Sequence, residues 1–290
     1  MLINQKARLA GVYAAVVTPF DRKQNIDFKW MTQHLAFLRN QGVDGIVVCG
    51  TNGEGTSLSV EERKRVVEHA FEKKQNLKLI VGAGFLSMTE TAGFARFCDG
   101  FKPDALLVLP PFFDRSASVQ GIADYYHYVA DNCRTPILLY NIPQFSGVTI
   151  THSLLHRLAG VKNIIGVKDS TGDAASTCSF IKTFPDKLVF TGNDHRMAEG
   201  LRDGAVGCIS GHANVFAAQV VQVWRDFKKG ADTADAQFGL SALADQFDEL
   251  PARAATKYAL HLCGLPRTFV RPPEVELTDE QKAILTERLM

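Results

Sequence analysis

The residues of this chain best suited to chemistry are a lysine, a tyrosine and a glycine-rich turn. Lys168 closes the apolar run Asn163-Ile164-Ile165-Gly166-Val167. A lysine ending a buried strand is unusual, because removing an ammonium from water is costly. Desolvation favours the neutral amine, and a neutral amine can attack a carbonyl carbon to form an imine. The plainer alternative is a strand-end lysine whose head reaches back into solvent. Tyr140 ends the preceding run, Pro136–Tyr140, so that on a neighbouring strand it would stand about 4.8 Å away laterally. A phenol that close can shuttle protons while a carbinolamine becomes an imine; taken alone, it reads as a rim aromatic. The turn Gly50-Thr51-Asn52-Gly53-Glu54-Gly55 offers backbone N–H groups and the short polar side chains of Thr51 and Asn52. Such a turn makes a neutral nest for a carboxylate, although many ordinary tight turns look alike. Together the three fit a 2-oxo acid, with its carboxylate in the nest, its keto carbon at Lys168 and its protons handled by Tyr140.

Other constellations are less complete. Asp194, His195 and His212 could approach a divalent metal, but adjacent side chains diverge and no third strong ligand follows, so no metal is expected. Ser170 and Ser210 lack the G-x-S-x-G elbow of a hydrolase nucleophile. Gly192, Gly207 and Gly211 fall where barrels often bind phosphate; without a basic neighbour that remains open. Imine chemistry needs no cofactor, and none is expected.

These residues need a scaffold that brings strand ends together. Eight short apolar runs recur along the chain: Val12–Val17, Asp44–Cys49, Lys78–Ala83, Asp104–Leu109, Pro136–Tyr140, Ile164–Lys168, Leu188–Thr191 and Ala205–Ile209. They are rich in Val, Ile and Leu rather than alternating with polar residues, as strands covered on both faces should be. Helical stretches separate them. Asp27 precedes Phe28, Met31, Leu35 and Leu38 on one face, and Ser59–Glu62 and Ser87–Glu90 have the S-x-x-E form of a capping box. Eight such units fit a (β/α)8 barrel, usually of ~250 residues, with its active site at the C-terminal strand ends. A doubly wound sheet is the rival, but the first turn, Thr18-Pro19-Phe20, lacks the glycine-rich loop that fold uses for nucleotides. Residues 1–224 are assigned to the barrel and 225–290 to a C-terminal helical region. Within the latter, Pro266–Pro273 reads as an extended connector and Thr278 opens a last helix.

Composition narrows the functional classes. Over 290 residues, 32 Lys+Arg against 31 Asp+Glu leave a net charge of +1, so no global field draws the chain to nucleic acid or an acidic membrane. No apolar run approaches the roughly 18–20 residues that span a bilayer. The start, Met1–Lys6, lacks the layout of a signal peptide. Six cysteines, Cys49, Cys98, Cys133, Cys178, Cys208 and Cys263, lie far apart without a C-x-x-C. A reduced, cytoplasmic protein is expected.

The order and spacing of G-T-N-G-E at 50–54, Y-N-I-P at 140–143 and I-I-G-V-K-D-S-T-G-D at 164–173 resemble the dihydrodipicolinate synthase/N-acetylneuraminate lyase family of class I pyruvate-handling aldolases. The similarity extends from Gly11–Phe20 to the C-terminal helices. It implies a (β/α)8 barrel assembled as a homotetramer, a dimer of dimers. It also implies that Lys168 is the Schiff-base lysine, Tyr140 the proton relay, and Thr51 and Asn52 the carboxylate-holding pair. Gly192 and Ile209 match pocket positions, with Ile209 offering its carbonyl.

Two departures bear on substrate. Where enzymes that condense pyruvate with aspartate semialdehyde carry an arginine for the second carboxylate, this chain has Phe145, and phenyl offers no bidentate fork. Where they carry a relay tyrosine from a neighbouring subunit, it has Phe112-Phe113. The resemblance is therefore to branches that cleave a 2-keto-3-deoxy sugar acid or a 4-hydroxy-2-oxo acid to pyruvate and an aldehyde. Ser170, Thr171, Asp173, Asp194 and His195 are expected to form a polar rim for the substrate's hydroxyls. Synthase-type condensation, neuraminate cleavage and 2-oxo-acid binding without turnover remain as alternatives.

Overall fold

The computed structural model describes residues 7–290. Eight strands close into one parallel barrel in sequence order: β1 (Gly11–Ala15), β2 (Gly45–Val48), β3 (Lys78–Ala83), β4 (Ala105–Val108), β5 (Ile137–Asn141), β6 (Ile164–Asp169), β7 (Leu188–Thr191) and β8 (Gly207–Ser210). Each of the eight apolar runs overlaps one of these strands, with the ends differing by a residue or two. Their residues alternate between two cores despite the unbroken apolar sequence. In β1, Tyr13 and Ala15 point into the barrel with Val47, Ile80, Leu107 and Phe190. Val12 and Ala14 face the surrounding helices. That division is why the runs are apolar throughout: both faces of every strand are covered.

The helices outside are α1 (Phe28–Asn40), α2 (Val60–Lys73), α3 (Met88–Asp99), α4 (Val119–Asp131), α5 (His152–Leu158), α6 (Ala174–Thr183), α7 (Met197–Asp203) and α8 (Ala213–Lys229). Asp27 caps α1 by accepting from the Trp30 N–H, and α1 buries Met31, Leu35 and Leu38. Ser59 and Glu62 form a complete capping box on α2. Ser87 caps α3 through the Glu90 N–H alone. A side-chain cap of this kind contributes about 1 kcal/mol.

Helix α8 continues across residue 224, where the sequence placed the end of the barrel, and stops at Gly230 with φ +68°. The helical region proper begins after it, with α9 (Ala234–Ala244), α10 (Ala252–Leu262) and α11 (Asp279–Leu289). Thr278 and Gln281 box the start of α11. The 266–273 connector is extended as expected and returns to the barrel mouth: the Phe269 N–H bonds the Phe20 carbonyl at 3.0 Å. Trp30 Nε1 donates to the Pro266 carbonyl at 2.6 Å. Helix α10 thereby lies against the C-terminal strand ends, where barrel enzymes keep their chemistry. Among the described residues no helix is long and apolar enough to cross a membrane.

Candidate active site

The direction of Lys168 depends on an irregularity in β6. Ile137 of β5 pairs with Ile164, but Leu138 pairs with Gly166, so the register shifts and Ile165 is an extra residue. Ile165 sits in the barrel interior and Val167 among the helices. With strict alternation from an inward Ile165, Lys168 would point outward. The bulge resets the parity and turns Lys168 inward beside Tyr140, with which it is in register. Gly166 permits this, since a Cβ there would lie 2.1 Å from the Leu188 carbonyl oxygen.

Lys168 is 5% exposed and Tyr140 4%. Nζ donates to Tyr140 Oη at 3.3 Å and stands 4.5 Å from the centre of its ring. Tyr140 Oη also shares a hydrogen bond with Thr51 Oγ1 at 3.1 Å. Amine, phenol and threonine hydroxyl therefore form one continuous chain. No carboxylate lies within ion-pairing distance of Lys168 among the described residues. The strand end beneath it is fixed by the buried Asp169, which accepts from Asn141 Nδ2 at 2.8 Å and Thr177 Oγ1 at 2.8 Å.

The turn after β2 is held from several sides. The Gly55 N–H closes onto the Gly50 carbonyl at 3.0 Å and the Glu54 N–H onto that of Thr51 at 3.1 Å. Thr18 Oγ1 donates to the Gly53 carbonyl at 2.6 Å. Gly55 has no room for a side chain, since a Cβ would meet the Cys49 carbonyl at 2.2 Å. The Thr51 and Asn52 N–H groups make no hydrogen bond among the described residues, so the turn keeps unused donors at the barrel mouth.

Glu54, in the left-handed region at φ +50°, is anchored through its side chain. It pairs with Lys257 of α10 at 2.5 Å and accepts from the Arg271 N–H at 2.8 Å. Burial pulls the Lys257 amine down to about 8, outweighing the attraction of Glu54. Arg253, one helical turn before Lys257, donates from Nε to the Thr51 carbonyl at 2.9 Å. The sequence alone assigns no role to Lys257, Arg253 or Arg271. The available signal was an i, i+4 pair of cations on α10, which alone resembles a solvated helix face.

Thr51, Asn52, Tyr140, Lys168, Gly192, Asp194, Ile209 and Phe145 all line one chamber of about 320 Å³. A Cβ on Gly192 would stand 2.9 Å from Lys168 Cε and 2.1 Å from Ser170 Oγ, so glycine there makes room for the lysine. Ser170 also lines the chamber, and its buried hydroxyl has no partner. A second space of about 280 Å³, walled by Leu107, Leu109, Phe112 and Phe145, adjoins at Thr51 and Tyr140.

The expected polar rim is only partly assembled. The Thr171 hydroxyl turns back to Asp169 at 3.2 Å, Asp173 caps α6, and neither lines the chamber. Their short side chains satisfy nearby backbone and carboxylate groups instead. His195 faces Asp245 at 3.5 Å. Phe113 points outward, 84% exposed. His212 Nδ1 meets Asp194 Oδ2 at 2.8 Å. Burial alone would raise Asp194 and lower His212; their hydrogen bond and mutual charge reverse both, leaving Asp194 below and His212 above its ordinary value. Among the described residues no three His, Cys, Asp or Glu side chains are grouped to hold a metal ion.

Residues 8–290 match the dihydrodipicolinate synthetase family. An uncharacterised DapA-like lyase of Chloroflexus aurantiacus is 34% identical over 289 residues, covering 97% of each chain. The 4-hydroxy-tetrahydrodipicolinate synthase of Anaplasma marginale (strain Florida) is 33% identical over 275 residues, 93% of this chain and 91% of that protein. Among solved structures, YagE of E. coli K12, a prophage protein crystallised with pyruvate, superposes with a TM-score of 0.92 at 27% identity, covering 97% of both chains. CdNal of Clostridium difficile, crystallised with mannosamine, gives 0.91 at 28% identity, covering 97% of this chain and 98% of that one. Barrel, chamber and sequence agree, and the chain belongs to the dihydrodipicolinate synthetase family, whose members are lyases and aldolases.

Proposed function

We propose that this protein is a Schiff-base-forming lyase that cleaves a 2-keto-3-deoxy sugar acid, or a related 4-hydroxy-2-oxo acid, to pyruvate and an aldehyde. The observation that carries the reading is the buried chain from Lys168 Nζ to Tyr140 Oη at 3.3 Å and on to Thr51 Oγ1 at 3.1 Å. The substrate carboxylate lies on the unused N–H groups of the Thr51–Asn52 turn, which brings the keto carbon toward Nζ. The amine lone pair attacks that carbon and forms a carbinolamine. Tyr140 gives its proton to the departing hydroxide, which leaves as water, and the imine stays protonated. The resulting phenolate takes the proton of the C4 hydroxyl. The C3–C4 bond then breaks, with its electrons moving into the iminium to give an enamine, and the aldehyde departs. Reprotonation of C3 by the phenol and hydrolysis of the imine release pyruvate and restore both residues.

Phe145 and the unpartnered Ser170 hydroxyl favour a hydroxylated partner over an acidic one. A homotetramer, expected of a member of this family and in keeping with the exposed rings of Phe113 and Phe238 at 84% and 77%, belongs to the same reading. Light scattering should give four times 31.9 kDa, and a stable monomer refutes that part.

The test of the chemistry is incubation with pyruvate and borohydride, followed by intact mass and peptide mapping. The expected product is a reduced adduct on Lys168 that is absent from Lys168→Ala; no adduct, or one on another residue, overturns the proposal. Tyr140→Phe should still be trapped but should turn over ~10²-fold more slowly, the scale of a lost acid–base group.

A further inference from the structure

The imine reading accounts for the chamber wall formed by β2, β5 and β6 and for Gly192, but gives no task to the polar side chains that follow β7 and β8. Two residues stand there. Asp194 is 5% exposed, accepts from His212 Nδ1 at 2.8 Å and is approached by Cys208 Sγ at 3.7 Å. The His212 ring lies edge-on to Phe247 with centroids 5.4 Å apart. Held by a carboxylate and an aromatic face, the ring has a fixed orientation. Its Nε2 makes no hydrogen bond among the described residues, although the side chain is 27% exposed and lines the chamber.

The level of this pair matters. Lys168 is in register with Phe190, and Phe190 with Gly207. Asp194 follows β7 and His212 follows β8, past the strand positions in register with Lys168, and both line the chamber that holds its amine. A substrate bound through C2 to Nζ, with its carboxylate at the end of β2, extends its later carbons outward to this height. One flank there is apolar, formed by Phe112, Ile142 and Phe145. The opposite flank offers the imidazole.

We propose that His212, oriented by Asp194, determines specificity by donating an Nε2–H hydrogen bond to a hydroxyl oxygen on the aldehyde half of the substrate, beyond the bond that breaks. This rests on the imine reading. Asp194 accepts from Nδ1–H and so favours the imidazolium, the form in which Nε2 also carries a proton to donate. A site built around such a donor discriminates against an analogue lacking the hydroxyl, because the polar group is then left without a partner.

The experiment compares condensation of pyruvate with glyceraldehyde and with propanal, three-carbon aldehydes that differ in their hydroxyls, for the wild type, His212→Leu, His212→Gln and Asp194→Asn. The wild type should prefer glyceraldehyde. His212→Leu should lose about 10–100-fold in kcat/KM for glyceraldehyde, the scale of one charge-assisted hydrogen bond, and about threefold or less for propanal. His212→Gln, which keeps a donor, should recover part of the preference, and Asp194→Asn should fall between. Equal losses on both aldehydes, or an unchanged preference in folded His212→Gln and His212→Leu, overturn the assignment. Borohydride trapping of pyruvate on the same wild-type protein separates the two claims: no adduct on Lys168 refutes the imine reading itself, whereas an adduct with no aldehyde preference refutes only the role of His212.

Discussion

Replacing Lys257 by methionine should damage both stability and pyruvate binding, although the residue does not line the chamber. Its side chain is 2% exposed and that of its partner Glu54 0%. Nζ lies 2.5 Å from Glu54 Oε1 and 2.6 Å from the Phe269 carbonyl oxygen, and 4.5 Å from the centre of the Phe20 ring. Lys257→Met leaves a buried carboxylate whose one remaining hydrogen bond is from the Arg271 N–H. Removing one partner of a buried pair typically costs about 3–5 kcal/mol, whereas replacing both by neutral groups of similar volume is often close to neutral. An unfolding entropy of about 2.1 cal/mol/K per residue makes ~0.6 kcal/mol/K for a chain of this length, so the expected fall in Tm is ~5–8 °C.

Because Glu54 forms part of the turn that carries Thr51 and Asn52, the KM for pyruvate should rise more than kcat falls. The double variant Glu54→Gln/Lys257→Met removes the stranded charge and should recover at least half of the lost Tm. Thermal melts at neutral pH together with steady-state kinetics decide the matter. A single variant melting within 1 °C of the wild type refutes the reasoning, and so does a double variant less stable than Lys257→Met.

Two further outcomes follow from the site. Gly192→Ala places a methyl group 2.9 Å from Lys168 Cε; it should fold normally yet lose most borohydride trapping, and wild-type trapping would contradict the close approach. The Asp194–His212 pair predicts a pH dependence of stability, because Asp194 lies below its ordinary 3.8 and His212 above its ordinary 6.5. The histidine's contribution is full below 6.5 and fades as pH rises through its raised value; the aspartate's is full above 3.8 and fades as pH falls through its lowered value. The stability gap between wild type and Asp194→Asn should therefore be widest from pH 3.8 to 6.5. A gap that is flat from weakly acidic to alkaline pH would argue against the charged pair.

The barrel was legible because its signal is local. Strands such as Lys78–Ala83 and Leu188–Thr191 are apolar on both faces, and runs of this length bounded by capped helices can be found residue by residue. The meeting of Lys168 and Tyr140 was legible as adjacency, since consecutive strands of a parallel barrel are neighbours. The direction of Lys168 was not, because alternation counted from Ile165 gives the wrong face unless the bulge at Gly166 is known. Nor was the Glu54–Lys257 pair, whose members are 203 residues apart in the chain. Thr171 was assigned to the rim from its place after β6, but a short hydroxyl beside a buried carboxylate bonds the carboxylate first. The barrel's end was placed at 224 although the amphipathic pattern of α8 runs on to Gly230, where a left-handed glycine stops it.

An arginine does stand at the mouth of this barrel, and its state bears on the substrate more than its presence. Arg253 comes from α10 rather than from the strand-five loop, where Phe145 occupies the corresponding place. Its Nε is committed to the Thr51 carbonyl, its Nη1 to Glu274, and its guanidinium lies 5.2 Å over the Phe145 ring. A carboxylate-binding fork needs two parallel N–H donors free in one plane. Arg253 has already given one edge to the turn and part of the other to a glutamate, so its charge is balanced before a substrate arrives. What it does instead is brace the Thr51–Glu54 turn, with Lys257 bracing the same turn one helical step later. On the proposed reading, Arg253 and Lys257 therefore serve the pyruvate half of the reaction. On that reading the aldehyde half meets phenyl rings on one side and hydroxyl and imidazole groups on the other, an environment that suits an uncharged, hydroxylated chain.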